Sequence, residues 1–297
     1  MNSPSAEAAG SMGPGVLHAA AAATRFTLNR HPPPADLAPF VDFCWVIRWD
    51  LRGQPAHRQA ILPHPNVNLA FEAAGPCVYG VDTKIFARSI SGQGKALGIR
   101  FRPGGFRPFH PEPISRLNDR VLPAAELLGP AADRACAAAM AAPDDDAMIE
   151  AGAGLLRGRG PAKDPVAEQA AALVGRITED TGLRRVAQLA ELSGLSERRL
   201  QRLFADYVGV SPKWVMRRAR LHEAALRAEA DGPASVDWGA LAADLGYADQ
   251  AHLTRDFTAT LGVPPSRYEA GQAPRGGPAS ADAGPAPSSG AEPPRGG

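Results

Sequence analysis

The chain has 297 residues, of which 44% are hydrophobic, and 32 lysines and arginines against 31 acidic residues give a formal net charge of +1. A chain of this length exceeds what one hydrophobic core usually serves, so we expect two soluble domains, and the lack of a long apolar run excludes a membrane span. Cys44, Cys77 and Cys136 have no CxxC spacing, which excludes a disulfide framework or zinc site and predicts reduced thiols in a cytoplasmic protein.

The two ends of the chain are poor in residues that build a core. Residues 1–24 and 271–297 are rich in Ala, Gly, Pro and Ser, and such segments cannot bury enough apolar surface to order themselves. We predict that both are disordered.

Residues 25–143 have a hydrophobic period of two, which is typical of half-buried strands. Val41, Phe43, Trp45, Ile47 and Trp49 alternate with other residues, and further short candidate strands follow between Gly, Pro and Asn. Closely spaced short strands predict a small β sandwich or barrel, with helical pieces from Ile114 onward. We interpret Trp45 and Trp49 as core residues that do not stack on a ligand.

Three arginines form a candidate effector site in this β-rich region. Arg100 and Arg102 lie two residues apart on one strand face, with Arg107 nearby, and a guanidinium fork fits carboxylate or phosphate. The alternative is an exposed arginine row beside the Pro-Gly-Gly turn.

Three histidines form a candidate metal site, as in metal-dependent cupins. His57, His64 and His110 are accompanied by no HxH pair and no HxxxE spacing, so we expect surface or hydrogen-bonded histidines, with no metal and no cofactor.

Residues 144–164 contain an acidic run and a Gly-Arg-Gly-Pro stretch, which predict a linker. The region that follows, 165–270, contains one pattern twice, about fifty residues apart. The copies are Leu189-Ala190, Gly194, Leu200, Arg202, Phe204, Gly209-Val210, Pro212 and Leu241-Ala242, Gly246, Leu253, Arg255, Phe257, Gly262-Val263, Pro265.

Each copy reads as a helix-turn-helix. A helix ends at a glycine that can adopt the left-handed conformation, and a capping residue, Ser196 or Asp249, opens the next helix. One side of that helix is apolar, and the other carries residues whose chemistry suits base edges. The candidate DNA-binding residues are Ser196, Glu197, Arg198, Gln201 and Arg202 in the first copy and Asp249, Gln250, Ala251, Thr254 and Arg255 in the second. The alternative for either copy is a helical hairpin with a solvated polar face.

Charge is divided unevenly between the two copies. Residues 184–220 are strongly basic, whereas 221–268 are acidic on balance. We therefore expect the first copy, with Arg217 and Arg218 behind it, to neutralise most of the phosphates. Alternatively, Arg217 and Arg218 are solvated or paired with Glu223 and its neighbours.

Three segments carry a family resemblance: LSERRLQRLF (195–204), LGYADQAHLTRDF (245–257) and GVPPSRY (262–268). They resemble the DNA-binding domain of AraC/XylS-type bacterial transcription regulators. The resemblance implies two helix-turn-helix units joined by a long helix, about Pro212 to Glu229, whose recognition helices enter major-groove segments about 34 Å apart. Glu197 departs from a purely basic contact surface, although an acid can accept from cytosine N4.

A weaker resemblance covers Ala38–Val41, Trp45, Leu62–Pro65 and Gly98–Phe106, which are similar to an N-terminal domain in a subset of these regulators. The wider family implies a cupin-like β domain that senses an effector or mediates dimerisation. The expected fold class is therefore α+β multidomain, a small cupin-like β sandwich or barrel followed by an all-α domain with two helix-turn-helix units.

The resemblance implies a transcription regulator, with double-stranded DNA as partner, a small-molecule effector, a homodimer, and RNA polymerase if the protein is an activator. Two alternatives remain. A DNA-repair enzyme carrying this domain would need an activated cysteine, and none of the three has a nearby His and acid in sequence. A protein-interaction module would not need the polar residues on both recognition helices.

Overall fold

The computed structural model describes residues 22–180, 182–232 and 235–268. The segments predicted to be disordered, 1–24 and 271–297, lie outside the described residues apart from 22–24. Ala22 is buried beside Phe26, Leu51 and Ile90, so the predicted disorder extended too far along the chain.

Eight strands build the first part of the chain that the structure describes. They are β1 (Phe26–His31), β2 (Val41–Leu51), β3 (His57–Ile61), β4 (Asn68–Phe71), β5 (Cys77–Tyr79), β6 (Phe86–Ile90), β7 (Gly92–Phe101) and β8 (Val121–Pro123). A six-stranded antiparallel sheet has the order β1-β2-β7-β4-β5-β8, and β3 pairs with β6 in a separate two-stranded ribbon. The predicted β-rich domain of short strands is confirmed.

Nine α-helices lie in the described residues after β8. They are α1 (Ala124–Leu128), α2 (Ala131–Ala141), α3 (Asp145–Arg157), α4 (Pro165–Glu179), α5 (Val186–Ser193), α6 (Glu197–Leu203), α7 (Pro212–Asp231), α8 (Trp238–Asp244) and α9 (Gln250–Leu261). A π-helical turn, Phe204–Val208, continues α6. None of the described helices is both long and apolar enough to cross a membrane.

The predicted linker at 144–164 was wrong for most of its length, because α3 occupies it. Asp144 caps α3, its carboxylate accepting from the Ala147 amide at 2.8 Å, so the acidic run starts a helix. One face of α3 is buried, and Gly152 brings its backbone close to β4 and β7, where a Cβ would lie 2.9 Å from Ile99 Cδ1. Of the predicted linker, residues 158–164 connect α3 to α4.

Two hydrophobic clusters join the β strands to the helices. One runs without interruption from the six-stranded sheet through α3 and α4 to Leu189, Leu200 and Phe204 of the first helix-turn-helix. The other joins Ala60 and Leu62, in and just after β3, to the second half of α7 and to α8 and α9. Each helix-turn-helix is therefore packed against a different part of the β domain.

Candidate DNA-binding surface and a cavity in the β domain

The first helix-turn-helix consists of α5, its turn and α6. Gly194 ends α5 with a φ of 66°, in the left-handed region that favours glycine. Ser196 then opens α6, and its hydroxyl accepts from the Arg199 amide at 3.3 Å. Leu200 and Phe204 are fully buried on one side of this helix. The packing fixes which side of α6 faces outward.

The outward side of α6 carries the residues that sequence analysis selected. Glu197, Arg198, Gln201 and Arg202 are all exposed. Hydroxyl, guanidinium and amide groups of this kind have the chemistry that suits phosphate and base edges.

The second helix-turn-helix repeats this construction in α8 and α9. Gly246 has a φ of 71°, and the Asp249 carboxylate caps α9 by accepting from the His252 amide at 2.6 Å. Leu253 and Phe257 are buried, as the period predicts. Among the selected residues on the other side, Gln250, Ala251 and Arg255 are exposed and Thr254 is half-buried.

The prediction that Arg218 contacts DNA phosphate was wrong. Arg218 is 5% exposed, donates from Nη2 to the Thr83 carbonyl at 3.2 Å and lies 4.8 Å from the centre of the Trp214 ring. Burial lowers the pKa of its guanidinium to about 10. Arg218 instead joins α7 to the β domain.

Arg217 also has an internal partner. It forms an ion pair with the buried carboxylate of Asp256 in α9, which in addition accepts from the Tyr247 hydroxyl at 2.9 Å. The sequence alternative of pairing is thus realised for Arg217, although with Asp256 and not with Glu223. Glu223 pairs with Arg227.

Two further arginines of the basic residues 184–220 contact the turn between α8 and α9 in the second helix-turn-helix. Arg184 donates from Nη2 to the Asp244 carbonyl at 2.9 Å and covers Gly246, where a side chain would overlap it. Arg220 donates to the Leu245 carbonyl at 3.4 Å and lies 4.9 Å from the centre of the Tyr247 ring. Three cations of the basic residues 184–220, Arg184, Arg217 and Arg220, therefore contact the second helix-turn-helix.

A cavity of about 410 Å³ lies between the six-stranded sheet and the β3–β6 ribbon. Six aromatic side chains contribute to its wall, and its size is that of small-molecule sites. The aromatic lining residues are Phe26, Phe43, Trp45, Trp49, Tyr79 and Phe86. Trp45 and Trp49 are therefore wall residues of a cavity, which sequence analysis missed when it assigned them to the core.

Arg100 and Arg102 are separated by the fold. Arg100 lines the cavity, donates from Nη2 to Asn66 Oδ1 at 2.7 Å and has its Nε 3.3 Å from Asp42 Oδ2. Burial lowers the pKa of Arg100 to about 10, with Asp42 acting in the opposite sense. Arg102 is exposed and outside the lining, because β7 ends at Phe101 and the chain then turns. The prediction of a shared face was therefore wrong.

The three candidate histidines do not come together. His57 contacts Gln59 Oε1 at 3.2 Å, and His110 lies near Phe106. His64 lines the cavity and packs on His222 of α7, with ring centres 4.3 Å apart. Burial lowers the pKa of His64 well below its usual range, and the positive charge of the nearby Arg100 lowers it further. Among the described residues, no three or more potential metal ligands lie together.

The β3–β6 ribbon connects the cavity with the second helix-turn-helix. Ile61 and Phe86 line the cavity, while Ala60 and Ile85 pack in the cluster that contains Leu241 of α8. Alternation along the strands gives the ribbon these two faces. The ribbon therefore lies between the cavity and the cluster that contains α8 and α9.

Comparisons with known proteins agree with this division of the chain. Residues 29–123 match the model of a domain of unknown function (DUF6597), and residues 189–271 match the model of a helix-turn-helix domain. No curated protein matches the chain.

Several solved structures of ToxT from Vibrio cholerae are similar to the chain. The P21 crystal form at 1.65 Å has a TM-score of 0.37 and 10% identity, covering 82% of this chain and 97% of that one. ToxT from strain O395 has a TM-score of 0.34 and 12% identity, with 82% and 97% coverage. Unsaturated fatty acid bound ToxT from strain SCE256 has a TM-score of 0.34 and 12% identity, with 82% and 95% coverage. Likenesses this weak support no conclusion about ligand or function.

The matched helix-turn-helix model and the two capped helices α6 and α9 agree that the helical region is a domain of the type found in DNA-binding transcription regulators. The chain therefore carries an AraC-type helix-turn-helix domain at residues 189–271, preceded by a domain of unknown function at residues 29–123.

Proposed function

We propose that this chain is a sequence-specific transcription regulator in which α6 and α9 read successive major-groove segments of double-stranded DNA. One observation carries the proposal. Two helices, each opened by a capping side chain after a left-handed glycine, bury one face and expose Arg and Gln on the other.

Roles within each helix follow from side-chain chemistry. Arg202 and Arg255 suit guanine, Gln201 and Gln250 suit adenine, and Ala251 suits the thymine methyl group. Ser196 and Asp249 cap the helix N-termini that approach the DNA phosphate backbone. Arg198 and Thr254 reach into the major groove beside them, and the Glu197 carboxylate accepts a hydrogen bond from the N4 amino group of cytosine.

Phosphate neutralisation falls to the exposed cations of the first unit. Arg185, Arg199 and Lys213 are exposed, whereas Arg218 is buried and Arg217, although exposed, is paired with Asp256. The first unit still supplies most of the salt-dependent affinity in this proposal, but through fewer residues than the charge count suggests.

The cavity between sheet and ribbon is the proposed effector site, and Arg100 is its anion-binding residue. A buried guanidinium in an aromatic wall binds an anionic group more strongly than an exposed one does, because little water competes. A homodimer and a contact with RNA polymerase remain predictions.

The repair-enzyme alternative is disfavoured by the thiols. Burial raises the pKa of Cys44 to about 11, and it also raises those of Cys77 and Cys136. A nucleophilic cysteine needs the opposite shift, because the thiolate is the reactive form. No described cysteine therefore has the electrostatic setting of an activated nucleophile.

Selection from random duplexes tests the proposal. The full chain should enrich a motif of about twenty base pairs, and failure to enrich any motif would refute specific recognition. Arg202→Ala should weaken binding by about 1–3 kcal/mol and relax preference at one position of the motif.

Salt titration then separates phosphate contacts from structural arginines. Arg199→Ala should lower the salt slope by roughly one unit. Arg134→Ala removes an exposed charge from α2 in the β domain and is the matched control, with an unchanged slope. Equal slopes for the parent, Arg199→Ala and Arg134→Ala would contradict the assignment of Arg199.

A further inference from the structure

A buried carboxylate connects the second recognition helix to two other elements. Asp256 of α9 is 6% exposed, and its two oxygens have separate partners. Oδ1 pairs with the guanidinium of Arg217 on α7, and Oδ2 accepts from the hydroxyl of Tyr247, in the turn between α8 and α9, at 2.9 Å. Asp256 therefore links α9 both to its own turn and to the helix that joins the two helix-turn-helix units.

The turn that carries Tyr247 is also held by α7. Tyr247 is 7% exposed, and the Arg220 guanidinium lies 4.9 Å from the centre of its ring. Arg220 in addition donates to the Leu245 carbonyl at 3.4 Å. Arg217 and Arg220 are three residues apart, so they lie on the same side of α7. One side of α7 thus contacts both α9 and the turn before it.

The contacts of Asp256 are directional, whereas the apolar contacts of α9 are not. Leu253 and Phe257 are fully buried, but the hydrophobic effect depends on buried area and tolerates a small rotation of the helix. Hydrogen bonds and ion pairs to the two oxygens of one carboxylate depend on distance and angle. We therefore assign the rotation of α9 about its axis to Asp256.

A small rotation of α9 is enough to change base recognition. The surface of a helix lies about 5–6 Å from its axis, so a rotation of roughly 10° moves an outward side chain by about 1 Å. A hydrogen bond spans only about 2.7–3.2 Å, so a shift of this size breaks it. Gln250 and Arg255 are exposed on α9, and the base contacts proposed for them depend on this rotation.

The ion pair also changes how the charges of Asp256 and Arg217 count toward DNA binding. In the sequence, Asp256 is one of the acids that oppose phosphate binding, and Arg217 is one of the cations that favour it. Because they pair with each other, the two charges cancel locally and contribute little to the salt-dependent attraction to DNA.

We propose that Asp256, Arg217 and Tyr247 are positioning residues that set the sequence preference of α9 without touching a base. This inference rests on the regulator function proposed above. It assigns to a buried acid and its partners a part of the specificity that the exposed residues of α9 express.

Binding of the full chain to three duplexes tests the inference. They are the selected motif and the motif scrambled in either half, and Gln250→Ala identifies the half that α9 reads. Arg217→Ala and Asp256→Asn should each lower discrimination in that half by roughly tenfold, leave the other half unchanged and keep the salt slope of the parent. Because both changes break the same pair, the double variant should lose no more than the more affected single variant.

Matched variants separate positioning from general effects. Asp133→Asn and Arg134→Ala remove charges of the same signs from exposed positions on α2 and should change neither half. Tyr247→Phe removes only a hydroxyl and should lower discrimination in the same half to a smaller extent. Circular dichroism shows which variants fold; if Arg217→Ala and Tyr247→Phe fold and keep full discrimination, the inference fails.

Three other results would overturn it. A uniform loss of affinity for all duplexes, with a salt slope lowered by about one unit in Arg217→Ala, makes Arg217 a phosphate contact. Equal losses in both halves make the pair a general support of the fold. Additive losses in the double variant show that Arg217 and Asp256 act independently.

Hydrogen exchange without DNA separates this inference from the proposed function. In Arg217→Ala and Asp256→Asn the amides of α9 should exchange faster than in the parent, and those of α6 at the parent's rate. Unchanged exchange in α9 refutes the link itself. If α9 is loosened as expected but duplex selection enriches no motif, the link stands and the regulator proposal fails.

Discussion

Gly152 and Gly154 provide a matched test of how closely α3 packs on the sheet. Both lie in the same helix, but a Cβ on Gly152 would be 2.9 Å from Ile99 Cδ1 and 3.1 Å from side-chain atoms of Leu97 and Phe71. A Cβ on Gly154 would meet nothing within 4 Å. The same substitution is therefore crowded at one position and free at the other.

The magnitudes follow from two opposing effects. Alanine in place of a helical glycine gains roughly 0.5–1 kcal/mol. An added methyl group in a packed core costs about 1–3 kcal/mol, because neighbours must leave their preferred rotamers. Gly154→Ala should therefore stabilise the fold by roughly the first amount. Gly152→Ala should be less stable than Gly154→Ala by about 1–3 kcal/mol, since the helix gain is common to both.

Thermal unfolding followed by circular dichroism measures this difference. For a chain of this size, 1 kcal/mol corresponds to roughly 2–4 °C or less in Tm, so several degrees should separate the two variants. Hydrogen exchange of the α3 amides shows whether the loss is local to that helix. If Gly152→Ala is as stabilising as Gly154→Ala, α3 does not pack as described, and the interpretation of 144–164 as a linker regains support.

Two other predictions concern the helix-turn-helix junction and a buried acid. Arg184 links the two helix-turn-helix units through the Asp244 carbonyl, so Arg184→Ala should make DNA affinity less sensitive to one base pair inserted between the two halves of the selected motif. The variant of its exposed neighbour, Arg185→Ala, should keep the parent's sensitivity. Equal sensitivity in both variants would exclude Arg184 as a positioning residue. Burial, with repulsion from Asp119, raises the pKa of Asp82 to about 6, so the stability that its protonated form contributes is present below about pH 4 and is lost as the pH rises through 6. Asp82→Asn should therefore increase the free energy of unfolding at pH 7.5 by at most about 3 kcal/mol, seen as a higher Tm, and have little effect at pH 4. A gain in Tm that does not depend on pH would contradict this.

Local signals in the sequence determined the two helix-turn-helix units. A capping residue such as Ser196 or Asp249 acts on amides two or three positions away, and the left-handed glycine of a turn acts on its own backbone. The period-two pattern of β2 likewise reports which side chains share a face. These features depend on neighbours within a few residues, so they can be predicted without knowledge of the fold.

The tertiary structure decided what the arginines and tryptophans do. Arg217 and Arg218 have the same sequence signature as cations that bind phosphate, yet their partners, Asp256 and Thr83, are distant in the chain. Trp45 has the pattern of a core residue, and only the placement of the β3–β6 ribbon opens a cavity beside it. Periodicity shows that a side chain is turned inward, but whether it meets another side chain, a cavity or a buried charge depends on residues that the fold brings from elsewhere.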